Sequence, residues 1–157
     1  TFLIEPGQKF PIQDETFDFV ISLNTLEHIF DIDKAISEIA RTLKTGGRFF
    51  FTVPFMFRVH GHPDDFIRGT PSFWVQKLET HGLSILEINA LSWGPFSTGQ
   101  SVAGIPGPLK KFRKHLALIT DLLYRLYKFG VNKKLIGDQD QPYLCAPVGY
   151  SLIAVKL

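Results

Sequence analysis

The sequence is poor in cysteine, in net charge and in long apolar runs, and each shortage excludes a class of protein. The single cysteine, Cys145, cannot form an internal disulfide, so we expect a small core residue in a protein of the reducing cytoplasm. A net charge of +2 is too small for a dedicated nucleic-acid binder. No apolar run approaches the ~20 residues that span a bilayer. The first residues, Thr1–Glu5, carry no basic region ahead of the apolar ones, so they are not a signal peptide.

What the sequence does contain is a globular composition with an excess of phenylalanine. Apolar residues make up 45% of the 157 residues and charged residues 20%, which predicts one domain with a substantial core. The 15 phenylalanines indicate a heavily buried core or an apolar ligand surface. Because the chain starts without Met, we expect it to begin inside a larger coding sequence.

Two short apolar segments flank an amphipathic helix near the N-terminus. Phe17–Leu23 and Arg48–Val53 have the composition of strands buried on both faces of a parallel sheet. The apolar spacing between them predicts a helix over about Asp33–Lys44, with Gly46-Gly47 ending it as a C-cap. Strand, helix and strand together predict a βαβ unit with a right-handed crossover.

Further elements are predicted after this unit. Thr70-Pro71 is a good N-cap and first-turn pair for a second helix, and Gly82 follows its last turn. Leu83–Leu91 and Gly149–Leu157 have the pattern of two more strands.

Residues 92–130 are interpreted as an inserted loop and helix. Ser92–Pro108 is rich in glycine and proline and predicts a long loop or lid. Leu109–Phe129 predicts a helix with a heptad-like apolar stripe among basic residues. This helix packs on the sheet or the lid, forms a dimer, or lies on a membrane surface, and the membrane is the partner we do not expect. The stripe consists of Leu109, Phe112, Leu116, Ile119, Leu123 and Leu126.

Three segments together resemble the type-11 family of class I S-adenosylmethionine (SAM) methyltransferases. Phe10–Ser22 reads FPIQDETFDFVIS and is similar to the family's LPFPDESFDLVVS. Leu26–Ile29, LEHI, and Ile39–Gly47, IARTLKTGG, resemble the family's LEHV and IARVLKPGG. His60–Thr70 reads HGHPDDFIRGT and is similar to HGAPYDYYRYT in one bacterial subgroup. The match covers about Phe10 to Glu87.

The resemblance implies an α/β fold. The expected structure is a partial Rossmann-like methyltransferase sheet, mainly parallel with an antiparallel C-terminal edge and helices on its faces, in a single partial domain over residues 1–157. Phe17–Leu23 and Arg48–Val53 would be the fourth and fifth strands of the family's sheet. Leu83–Leu91 and Gly149–Leu157 would be the sixth and seventh, paired antiparallel.

The resemblance also implies SAM as the cofactor. In the family a glycine-rich turn and an acidic residue hold SAM, and both precede the segment that begins here at Phe10. Only the residues before Phe10 could supply them, and these contain neither a Gly-x-Gly turn nor enough chain. We therefore expect this chain to contain an incomplete SAM site.

Candidate site residues follow the first predicted strand. Ligands of open α/β sheets lie outside the carboxyl ends of the strands, so the resemblance puts Leu23, Asn24 and Thr25 beside the cofactor. The alternative for Asn24 is an ordinary turn in which it bonds to nearby backbone. His28 is either a base or substrate-orienting residue, or a histidine bonded to backbone. Glu27 is a candidate for substrate binding.

The third matched segment holds a compact polar cluster. His60 and His62 either belong to a structural loop or sit in a substrate-facing lid, where one of them acts as the base. Arg68 either pairs with Asp64 or Asp65, or clamps an anionic substrate. We expect no metal, because no further ligand group is in view and the family generally works without one.

The function predicted from these residues is SAM-dependent methyl transfer to an unidentified small-molecule or glycan-linked acceptor, incomplete in this chain. Trp93 joins Glu27 and Arg68 as a substrate-binding candidate, with lid packing as the alternative. A different hypothesis is a non-catalytic half-domain that survives by dimerising. It is favoured by the missing cofactor half and by the apolar stripe that begins at Leu109. The edge that Phe17–Leu23 would expose makes a homodimer the expected assembly.

Overall fold

The computed structural model describes residues 8–61, 64–91, 94–104, 107–129 and 147–157. Cys145 lies outside these ranges. The described strands are β1 (Phe17–Leu23), β2 (Leu43–Pro54), β3 (Leu83–Leu91) and β4 (Gly149–Lys156); the helices are α1 (Ile32–Thr42), α2 (Pro71–Thr80), α3 (Pro95–Val102) and α4 (Lys110–Phe129), with a short 3-10 helix at Leu26–His28.

The four strands form one mixed sheet in the order β1-β2-β4-β3. β1 and β2 are parallel, in register from Phe19 opposite Arg48 to Leu23 opposite Thr52. The C-terminal end of β4 meets the start of β3, since the Leu157 amide donates to the Gly82 carbonyl at 3.0 Å. β4 therefore runs antiparallel to β3, which confirms the predicted α/β sheet with its antiparallel C-terminal edge.

The βαβ unit is present, but its helix ends earlier than predicted. α1 begins after Asp31, whose carboxylate accepts the Lys34 amide at 3.1 Å, and its C-cap is Leu43. The prediction that Gly46-Gly47 caps α1 is wrong, because both glycines lie inside β2 beside an irregularity in its register with β1. Gly46 has a φ of 78°, and a Cβ on Gly47 would meet the Lys44 carbonyl oxygen at 2.8 Å. The two glycines instead allow the backbone conformation and the close approach at this irregularity in β2.

The predicted burial of β1 on both faces is also wrong. Phe19, Ile21 and Leu23 are 49%, 59% and 58% exposed, whereas Phe49 and Phe51 on the neighbouring β2 are fully buried. β1 is the edge strand of the sheet, and no described element covers the face that carries these side chains.

α2, β3 and β4 start and stop close to where their local signals predict. Thr70 caps α2 by accepting the Phe73 amide at 3.3 Å, and Gly82 follows the helix with a φ of 74°. Trp74 and Leu78 on α2 are fully buried. β3 occupies the predicted residues 83–91, and β4 ends one residue before the predicted end.

The chain divides into two compact units, of which the first comprises residues 1–53, 60–88 and 151–157 and the second residues 54–59 and 89–150. The second unit contains α3, which the glycine- and proline-rich composition did not predict. Its first turn is capped by the buried Asp121 of α4, which accepts the amides of Phe96 at 2.9 Å and Ser97 at 2.7 Å. The cap comes from far along the chain, so the loop sequence alone did not reveal the helix.

The apolar stripe of α4 faces away from α3. Ala117 and Asp121 are buried, but all six stripe residues are between 41% and 73% exposed. Among the described residues of the second unit, the stripe is therefore left largely uncovered. No helix in the described part of the chain is long and apolar enough to cross a bilayer.

Candidate functional site

A buried carboxylate lies just beyond the carboxyl end of β1, in the first unit. Glu27 belongs to the 3-10 helix Leu26–His28, and its side chain is fully buried. Among the described residues, neither of its carboxylate oxygens has a hydrogen-bond partner. A carboxylate in this position is unfavourable unless a proton or a cation compensates it. Glu27 is therefore the central residue of the candidate site.

Two histidines approach this carboxylate from different segments. Nε2 of His28 lies 3.7 Å from Oε1 of Glu27, and Nε2 of His60 lies 4.0 Å from the same oxygen. The two imidazole rings meet edge to face with their centroids 5.2 Å apart. The segment bearing His60 is tied to the 3-10 helix by the Phe66 amide, which donates to the Glu27 carbonyl at 2.8 Å. Both histidine side chains are partly exposed, at 23% for His28 and 35% for His60.

The other ring nitrogen of each histidine is held by an acceptor. Nδ1 of His28 bonds to the backbone carbonyl of Asp64. Nδ1 of His60 lies 3.2 Å from Oδ2 of Asp65, which also accepts the His60 amide at 3.0 Å. Since these partners accept hydrogen bonds, we assign the ring proton to Nδ1 in both residues. Nε2 is then the basic nitrogen that faces Glu27.

Asp65 is anchored by Arg68. Both terminal guanidinium nitrogens of Arg68 donate to the carboxylate, whose side chain is only 2% exposed. Hydrogen bonding from Arg68, despite desolvation, lowers the pKa of Asp65 to about 2, with help from the His60 amide. The internal pair is thus the arrangement of Arg68 in this structure, and its role is to hold Asp65, and through it His60.

The three cofactor candidates lie at the carboxyl end of β1, where the chain turns and forms hydrogen bonds to the end of β2. Asn24 has a φ of 47°, and its backbone N–H donates to the Thr52 carbonyl at 3.0 Å. The Thr52 hydroxyl donates to the Asn24 side-chain oxygen at 3.1 Å, and the Thr25 hydroxyl donates to the Leu23 carbonyl at 3.0 Å. The side chains of Asn24 and Thr25 thus form hydrogen bonds to nearby residues of β2 and β1, while the Leu23 side chain is exposed. The described residues contain neither the glycine-rich turn nor the ribose-binding acid, so they would hold only part of SAM.

Two predicted site residues, His62 and Trp93, lie outside the described residues. Glu27, expected to bind substrate, is instead the buried centre of the cluster. The Glu27-His28 pair after a strand was the available signal. Its burial and its proximity to His60 are not apparent from the sequence, which does not position the segment that carries His60.

Glu27, His28 and His60 also form a set that could hold a metal ion. One ligand atom from each lies within 4.8 Å of the others. The expectation of no metal rested on the view that no further ligand group was available, and Glu27 provides such a group.

Comparison with known proteins relates this chain to methyltransferases. Residues 1–51 match a family model described as a methyltransferase domain. The sterol 4-C-methyltransferase strm-1 of Caenorhabditis elegans is 45% identical over 42 residues, which are 27% of this chain and 13% of that protein.

Solved structures extend the likeness over nearly the whole chain. A SAM-dependent methyltransferase from Thermotoga maritima superposes with a TM-score of 0.56 at 13% identity, covering 96% of this chain and 61% of that one. The cyclase SpnF superposes with a TM-score of 0.55 at 18% identity, covering 99% and 55%. The chain thus spans a little over half the length of these proteins. The matches confirm the resemblance to class I methyltransferases and their Rossmann-like fold.

Proposed function

We propose that this chain is part of a SAM-dependent methyltransferase that acts on a small-molecule or glycan-linked acceptor. The observation that carries the proposal is the Glu27–His28–His60 cluster, which lies just beyond the carboxyl end of β1 in a Rossmann-like sheet. Ligands of open α/β sheets bind at that edge. The family match over residues 1–51 supports the same reaction class.

Each part of the cluster has a role in this proposal. Bound SAM supplies an electrophilic methyl group, and the protein orients the acceptor and takes its proton. When no metal ion occupies the cluster, Nε2 of His28 or His60 accepts that proton, because Nδ1 of His28 bonds to the Asp64 carbonyl and Nδ1 of His60 lies 3.2 Å from the Asp65 carboxylate. Arg68 acts as a positioning residue through Asp65, and the turn at Asn24 borders the cofactor.

The competing proposal is a non-catalytic half-domain that dimerises. It is supported by the exposed apolar face of β1 and by the exposed stripe of α4. The chain also resembles the cyclase SpnF in fold, and a shared fold does not determine which reaction a protein catalyses. Under either proposal we expect a cytoplasmic homodimer, with β1 as the contact, because an uncovered apolar edge strand readily pairs with another chain.

Calorimetry with SAM and with S-adenosylhomocysteine separates the two proposals. An enzyme form should bind both, once the coding sequence that precedes Thr1 is included if it encodes the glycine-rich turn. The chain on its own should bind them weakly. If no form binds either compound while the chain forms a stable dimer, the half-domain proposal is the correct one.

A further inference from the structure

We propose that Glu27, His28 and His60 bind a divalent transition-metal ion, with Zn²⁺ as the best match. This inference goes beyond methyl transfer and does not depend on it, because the ligands are protein side chains and the binding can be measured without SAM. Two imidazoles and one carboxylate are a common ligand set for such ions.

The spacing of the three side chains suits an ion between them. The two histidine Nε2 atoms lie 3.7 and 4.0 Å from Oε1 of Glu27. Ligands that surround Zn²⁺ tetrahedrally at roughly 2 Å are about 3.4 Å from one another. One ligand atom from each residue lies within 4.8 Å of the other two, so the ends of the side chains would have to approach one another by at most about 1.4 Å to complete the coordination.

The outer contacts of both rings are those of metal-binding histidines. A ligating imidazole usually donates its second ring N–H to a carboxylate or a carbonyl, which fixes the ring and the tautomer. His60 has the Asp65 carboxylate at 3.2 Å from Nδ1, and His28 has the Asp64 carbonyl in the same position. Arg68 in turn holds Asp65. Nε2 is then the ring nitrogen of each histidine that would ligate an ion beside Glu27.

The buried carboxyl of Glu27 has no hydrogen-bond partner among the described residues, and a cation is one group that would satisfy it. A proton on either Nε2 would be the alternative, but a protonated ring would donate a hydrogen bond to the carboxylate. The Nε2 to Oε1 distances of 3.7 and 4.0 Å are too long for one. A bound ion would satisfy the carboxylate and both rings together, and would leave at least one coordination position for water or an acceptor oxygen.

The test is direct metal binding to the whole chain after treatment with a chelator. We expect calorimetry to show one Zn²⁺ per chain, and Co²⁺ to develop visible absorption bands of a four- or five-coordinate site. Glu27→Gln removes one ligand without adding a charge and should abolish both signals. Asp65→Asn should weaken Zn²⁺ affinity about 10- to 100-fold, because it acts only through His60. His115→Ala is the matched control, since His115 lies exposed on α4.

Two results would overturn the proposal. One is a folded chain that shows no saturable binding of Zn²⁺ or Co²⁺. The other is binding that persists unchanged in Glu27→Gln and in His60→Ala, which would identify adventitious binding elsewhere. Neither result would count against methyl transfer, which SAM binding and turnover test separately.

Discussion

Nε2 of His60 lies 4.0 Å from Oε1 of Glu27, although the two residues come from separate segments of the chain. One follows β1 and the other belongs to the segment between β2 and α2. Glu27 and His60 therefore belong to one cluster, and the Glu27 carboxylate at its centre is fully buried. The stability and the chemistry of the first unit both depend on what compensates that charge.

Glu27→Gln should change stability in opposite directions with and without metal. In the presence of a chelator, the variant should be more stable than the wild type by about 1 kcal/mol or more, because it removes an unpartnered buried charge. With excess Zn²⁺ the wild type should become the more stable protein, since only it gains the binding free energy. Urea unfolding under both conditions measures this, with the exposed Glu79→Gln as the control. Equal stability of wild type and variant under both conditions would mean that the Glu27 charge is already compensated.

Arg68→Ala should destabilise the first unit by about 3 kcal/mol. It leaves the carboxylate of Asp65 buried and without its guanidinium partner, which costs more than the loss of an exposed ion pair. Arg48→Ala, at an exposed position on β2, should change the free energy of unfolding by less than about 0.5 kcal/mol. Urea unfolding compares the two. Similar small losses would show that the Asp65–Arg68 pair adds little.

Stability should fall in acid between about pH 4 and pH 2. Hydrogen bonds from Arg68 and Arg41 lower the pKa values of Asp65 and Glu38 to about 2, from ordinary values of 3.8 and 4.5. A carboxylate whose pKa is lowered in the folded state stabilises the protein above its unfolded pKa, and that stability disappears as the pH falls through the folded pKa. Denaturant unfolding from pH 7 to pH 2 should show the decline, and Asp65→Asn should make it shallower. A flat profile above pH 2 would contradict this assignment.

The sequence predicts most of the helices and strands, but not the contacts between residues that are distant in the chain. α2, β3 and α4 follow from local signals, such as the Thr70 cap and the apolar spacing, and their bounds agree closely with the structure. Local patterns do not reveal which neighbour covers a segment. The exposure of β1, the capping of α3 by Asp121 and the burial of Glu27 all depend on residues distant in the chain. The resemblance identified the segments that carry His28 and His60, but not their contact with one carboxylate.

The exposed face of β1 should make the chain a dimer. The double variant Phe19→Lys, Ile21→Lys places charges on that face and should yield a monomer in sedimentation velocity at low micromolar concentration. The control Leu116→Lys, Leu123→Lys changes the α4 stripe and should leave the dimer intact. Dissociation by the control alone would assign the interface to α4. A compact wild-type monomer of 17.8 kDa would contradict self-association altogether.

The most direct test of the proposed function is the turnover of an active form that contains this chain, measured as conversion of SAM to S-adenosylhomocysteine. His60→Ala should lower kcat by roughly 100-fold or more, because it removes a base or metal ligand at the reaction centre. The SAM dissociation constant should change less than kcat, since His60 is not among the cofactor candidates. His115→Ala should match the wild type in both quantities. Unchanged kcat in both His28→Ala and His60→Ala would contradict the account, because the cluster would then lie outside the reaction.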